Sequence, residues 1–79
     1  MEKLFTIEFD SRGETVEMHL NKTGALFLKS VLTKLIEKNV DEHEHFMSLD
    51  WGGEELSSEK QNLNGDIQLI HQLKILYTT

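Results

Sequence analysis

The chain has 79 residues, 38% hydrophobic and 28% charged, with eight basic against fourteen acidic side chains, a formal net charge of -6 and no cysteine. A chain of this length makes one domain, spanning residues 1–79, and buries only about 60% of the surface its unfolded form exposes, so its stability margin is thin. The composition excludes disulfides, thiolate-zinc sites and cysteine nucleophiles, and an acidic surface makes nucleic acid or an anionic membrane a poor partner.

From Leu4 to Phe9 apolar and polar residues alternate, with Phe5, Ile7 and Phe9 on one side, as in a half-buried strand. Asp10-Ser11-Arg12-Gly13 carries turn chemistry, with Gly13 free to take a positive φ, and Val16, Met18 and Leu20 then alternate again. The two runs predict a β-hairpin. Asn21 is a candidate N-cap, after which Leu28, Val31, Leu32, Leu35 and Ile36 share a helical stripe with Ala25, and Leu26 falls on the opposite, exposed face. Lys34 and Lys38 complement the dipole at the helix end, where Asn39 tolerates the left-handed conformation.

His43 to Leu49 reads as a third strand and Ile67 to Tyr77 as a long fourth, with Ile67, Leu69, His71, Leu73, Ile75 and Tyr77 in one phase. A loop through Asp50-Trp51-Gly52-Gly53 to Asn64-Gly65 joins them, with a helical turn over Ser57-Ser58-Glu59-Lys60. The order β-β-α-β-β predicts an α+β fold: a four-stranded antiparallel sheet, spatial order 2-1-3-4, with one helix packed on one face. Its expected core is Phe5, Ile7, Phe9, Val16, Met18, Leu28, Leu32, Leu35, Leu69, Leu73 and Ile75. The amino terminus alternates instead of forming a signal-peptide apolar run, and nothing approaches the roughly 20 apolar residues of a membrane span, so a cytoplasmic protein is expected.

The excess charge is localised. Residues 1–36 and 61–79 are each balanced, whereas between Glu37 and Lys60 the acids Glu37, Asp41, Glu42, Glu44, Asp50, Glu54, Glu55 and Glu59 face only Lys38 and Lys60. Such a segment is either a solvated loop or a surface that attracts a basic partner.

Catalytic motifs are scarce. No Ser lies in a Gly-x-Ser-x-Gly elbow, Trp51-Gly52-Gly53 lacks phosphate-loop spacing, and the acidic loop offers no apolar pocket to raise a carboxyl pKa. His43-Glu44-His45 is the one cluster of ligand types. On a strand its imidazoles project from one face about 7 Å apart, and His71 would complete a metal site if the third and fourth strands pair in register. A small metal-binding protein or enzyme built on His43, His45 and His71 is thus the alternative to a cofactor-free, non-catalytic binding protein; a structural subunit of a larger assembly is another. Trp51-Gly52-Gly53 with Leu56 reads as an anchored loop, the indole packed down and at least one of His43 and His45 against it.

The run His43-Glu44-His45-Phe46-Met47, followed by Trp51-Gly52-Gly53-Glu54-Glu55-Leu56-Ser57, resembles immunity-protein family thirty-two of the bacterial polymorphic toxin systems, and the hairpin, helix and closing strand are similar to that family's layout over essentially the whole chain. The resemblance implies a small α+β protein that binds and neutralises a cognate toxin, and the composition adds that the chain folds alone or as a small homo-oligomer. A nuclease-type toxin with a basic cleft suits the acidic surface. His43, His45, Trp51, Gly52, Gly53 and Leu56 are then expected to build the fold, and Asp41, Glu42, Glu44, Asp50, Trp51, Glu54 and Glu55 to meet the toxin.

Overall fold

The computed structural model describes residues 2–79, which form an α+β fold of one helix and five strands. β1 (Phe5–Asp10) and β2 (Thr15–Leu20) make the expected antiparallel hairpin, pairing Phe5 with Leu20 and Asp10 with Thr15. In its turn the Asp10 carboxylate accepts the Arg12 N–H and guanidinium, and Glu14, not Gly13, takes the left-handed conformation at φ 52°. α1 (Lys22–Lys38) is bounded as its caps dictate: the Asn21 side chain accepts the Gly24 N–H, and Asn39 closes the helix in the left-handed region.

The helix lies rotated from the expected stripe. Gly24 sits over the Leu4 carbonyl so closely that any Cβ there would overlap it, and this contact turns the Gly24 side toward the sheet. Leu35 is buried and Phe27, Leu28 and Val31 pack partly buried on the core, while Leu32 and Ile36 swing out to solvent.

β3 (Glu42–Met47) does not join the hairpin, and the predicted fourth strand is two: β4 (Ile67–Ile70) pairs antiparallel with β1, and β5 (Gln72–Tyr77) with β3. The result is a three-stranded sheet β2-β1-β4 and a two-stranded sheet β3-β5, instead of one four-stranded sheet. The expected order assumed that direction reverses at each element. The connection from Ser48 to Asp66 is long enough to carry the chain across and bring the last strand in beside β1, and this strand changes sheets at His71, as strands do at the corners of packed sheets.

Phe5, Ile7, Phe46 and Leu56 form the buried centre, joined by Ile70, Leu73 and Ile75 from the last two strands. Phe5, Phe27 and Phe46 meet with ring centroids 5.4 to 6.3 Å apart in tilted and edge-on contacts. Of the expected core, Val16, Met18 and Leu32 are exposed, and Phe9 and Leu69 only half-buried. The opposite face of the hairpin sheet is covered as well. The Ser48–Asp66 segment, which starts with a 3-10 turn at Leu49–Trp51 and carries no helical turn over residues 57–60, puts Leu56 in the core and reaches that opposite face at Gln61 and Asn62, whose N–H groups bond Glu8. Ser57 pins it by exchanging backbone and hydroxyl hydrogen bonds with Lys3 and Phe5. No helix is long and apolar enough to cross a membrane among the described residues.

Candidate functional site

The segment Ser48–Leu56 turns back on the end of β3. The Leu56 N–H donates to the Met47 carbonyl and the Leu49 N–H to the Leu56 carbonyl, and the Ser48 carbonyl accepts from both Trp51 and Gly53. Gly52 ends the turn at φ 83°, a conformation that penalises any side chain, and a Cβ on buried Gly53 would overlap the Met47 carbonyl. Leu56 is buried beneath. The two glycines and Leu56 thus define the shape of the loop.

This shape does not pack Trp51 down. The indole is 57% exposed, and its inner face stacks on the His71 ring at 5.2 Å between centroids and 9° between planes. His71 is held in turn: its Nδ1 lies 2.7 Å from the hydroxyl of fully buried Ser48, and its carbonyl accepts the Ser48 N–H. With no accessible surface, the Ser48 hydroxyl orients the imidazole and cannot meet a substrate as a nucleophile. A chain of three side chains from the core outward therefore presents a fixed aromatic plane at the surface.

Beside it, Leu49 and Asp50 form one wall of an open cleft of about 720 Å3, whose charged lining is Glu2, Asp50, Glu54 and Glu59 against Lys3 alone. Lys3 donates to the Glu54 carbonyl and lies 4.1 Å over the Phe27 ring.

The remaining expected contact residues are not gathered here. Asp41 accepts the Thr79 N–H and hydroxyl, and the Thr79 N–H in particular holds its carboxyl below the usual range. Glu42 pairs with Lys38 at 3.1 Å, and Glu42 and Glu44 share a separate cavity with Lys34 and Lys38. Glu55 accepts the Met47 N–H at 3.0 Å. The acidic segment is therefore not one surface: Asp50, Trp51 and Glu54 stand at one end of β3, Asp41 and the Lys38-paired Glu42 about 17 Å away at the other, and Glu44 between them.

The three histidines do not converge. His43 and His45 project from the outer face of the β3-β5 sheet, opposite Leu76 and Lys74, with ring centroids 4.9 Å apart. His71 lies opposite Ser48 and hence on the alternate face. The metal site expected of His43, His45 and His71 is not formed, and the histidine against Trp51 is His71 instead of either member of the pair. Periodicity cannot reveal a stack between residues twenty positions apart.

One further cluster has no sequence signal at all. Glu8, at an alternating position that reads as the solvent face of β1, is completely buried, and its ligand-type atoms lie within 4.8 Å of those of Glu17 and His19. It accepts the Thr6 hydroxyl at 2.6 Å and the N–H groups of Gln61 and Asn62 at 2.9 Å each. Burial opposes its ionisation, but these donors and nearby His19 outweigh it and hold the carboxyl below its ordinary value. Glu17 accepts from His19 at 2.8 Å and from the Asn62 amide at both oxygens, and His19 above all lowers its pKa. Every carboxylate oxygen has a protein donor, so the cluster fastens the Gln61–Asn62 loop to the sheet.

Comparison of the chain with family models, with curated proteins and with solved structures finds no match.

Proposed function

We propose that the chain acts by binding another protein, with Trp51 as the apolar anchor and Asp50, Glu54, Glu2 and Glu59 as the charges that steer a basic partner toward it. The observation that carries this reading is the exposed indole stacked on His71. Binding hot spots are enriched in Trp, and an anchor already held in place loses little side-chain entropy when a partner closes over it. These carboxylates, which form no salt bridge among the described residues, raise the encounter rate with a positive surface toward about 10⁸ M⁻¹s⁻¹.

Within this class we read the chain as an immunity protein that neutralises a toxin whose basic cleft takes nucleic acid. The support is the His-x-His and Trp-Gly-Gly motif together with the localised negative charge. The test is direct binding to the toxin domain encoded beside this chain, followed by surface-immobilised kinetics. Trp51→Ala is expected to weaken the complex by about 2 kcal/mol or more, roughly thirtyfold, mainly through faster dissociation, with the melting midpoint little changed because the indole is mostly exposed. A neighbouring gene without a toxin domain removes the immunity reading. Unaltered affinity of the Trp51 variant removes the anchor.

A further inference from the structure

We infer that β2 is a homodimer interface, at which two copies of this chain pair their β2 strands antiparallel about a two-fold axis through Met18. This surface is separate from the Trp51 loop and stands whether or not the partner reading holds.

Among the described residues the outer edge of β2 has no strand partner, since β2 pairs there with β1 alone. Soluble proteins usually blunt such an edge with lysine, proline, a bulge or a covering segment. This edge has none of the first three: Thr15–Leu20 contains no lysine or proline and its register with β1 is unbroken. The side chains next to the edge are apolar as well. Val16, Met18 and Leu20 lie on the helix side of the sheet, opposite Phe9, Ile7 and Phe5. The flank of α1 that carries Lys34 and Lys38 faces β3, where it shares a cavity with Glu42 and Glu44, so the other flank, with Leu32 and Ile36, faces β2. These five side chains are 36% to 64% exposed, so apolar surface stands bare on the strand and on the helix flank that faces it, a kind of surface that monomers seldom leave uncovered.

The sequence of the strand identifies the occupant. A two-fold axis at Met18 sets Met18 against its own copy, Val16 against Leu20, and Glu17 against His19 in both halves of the interface. Apolar residues meet apolar ones on the helix side; on the other, the Glu17–His19 pairs already formed within each chain at 2.8 Å line up with opposite polarity, so that no carboxylate faces a carboxylate. Moving the axis one residue to Glu17 puts like charges face to face. The dimer is then a continuous sheet, β4-β1-β2 joined to its symmetry mate, with both helices on one side.

Sedimentation equilibrium of the full chain is the test, at about 0.01 to 1 mM protein and in about 0.05 and 0.5 M salt. The mass is expected to rise with concentration from 9.2 kDa to twice that value. Because each copy carries -6, salt should tighten the dimer, the reverse of its effect on capture of a basic partner. Met18→Lys puts two like charges at the axis and should weaken the dimer at least roughly tenfold while leaving the circular dichroism spectrum intact. Met18→Cys supplies a readout that does not depend on that variant folding: strand partners at such an axis lie about 4.5 to 5.5 Å apart at Cα, within disulfide reach, so mild oxidation should give a covalent dimer, and Leu26→Cys on the outer face of α1 should not. A 9.2 kDa species under every condition overturns the inference, as does a dimer indifferent to Met18→Lys or a Met18→Cys chain that cross-links no faster than the Leu26 variant.

Discussion

Glu8→Gln probes the least expected feature of the fold. The carboxylate is completely buried and takes three hydrogen bonds, two on one oxygen from Thr6 and Gln61 and one on the other from Asn62. Glutamine keeps a single acceptor. If its oxygen serves Thr6 and Gln61, its amide group meets the Asn62 N–H donor to donor. One buried donor is then left unsatisfied at about 1 to 3 kcal/mol, and the charge assistance to the other bonds is lost, for a total near 2 to 3 kcal/mol. A domain this small has little more than twice that in total. Urea unfolding followed by circular dichroism at pH 7 measures the loss, and amide exchange at Gln61 and Asn62 locates it. The pH dependence has a definite sign. The folded pKa lies below the ordinary 4.5, so the stabilisation is complete above about pH 5 and disappears as pH falls through the folded value; the gap between wild type and variant should narrow from pH 7 to pH 3. A gap under about 0.5 kcal/mol at pH 7, or one that persists unchanged to pH 3, refutes the assignment of Glu8 as the loop's fastening point.

Leu35→Ala should cost about 2 to 5 kcal/mol, because Leu35 is buried in the helix face set by Gly24, whereas exposed Leu32→Ala should cost under about 1; equal losses in thermal melts would show the rotation to be wrong. Gly53→Ala forces a methyl group into the Met47 carbonyl, so it should destabilise the domain by about 2 kcal/mol or more and shift Trp51 fluorescence, and a neutral effect would show that the loop relaxes freely. In stopped-flow association with the proposed toxin partner, Asp50→Lys with Glu54→Lys should slow binding far more than Glu42→Lys with Glu44→Lys, even though each pair shifts the charge from -6 to -2. Equal slowing would mean that net charge, and not the cleft beside Trp51, governs encounter.

The features legible in the sequence are those written in local chemistry. Asn21 and Asn39 bound the helix because a side-chain acceptor and tolerance of the left-handed region act within a few residues, and the hairpin follows from alternation around a turn. The features that were not legible depend on what lies across space. Unbroken alternation from Ile67 to Tyr77 hides the change of sheet at His71, since each half continues in strand conformation. Glu8 reads as solvent-facing until a loop more than fifty residues later covers it, and Trp51 reads as core because nothing local shows that its neighbour is His71. The converse case is β2. Val16, Met18 and Leu20 have the pattern of a buried strand face and remain largely exposed, although the local pattern and the hairpin pairing agree. The two-fold complementarity of Val16 through Leu20 is why we propose that a second copy of this chain supplies the burial that the pattern encodes.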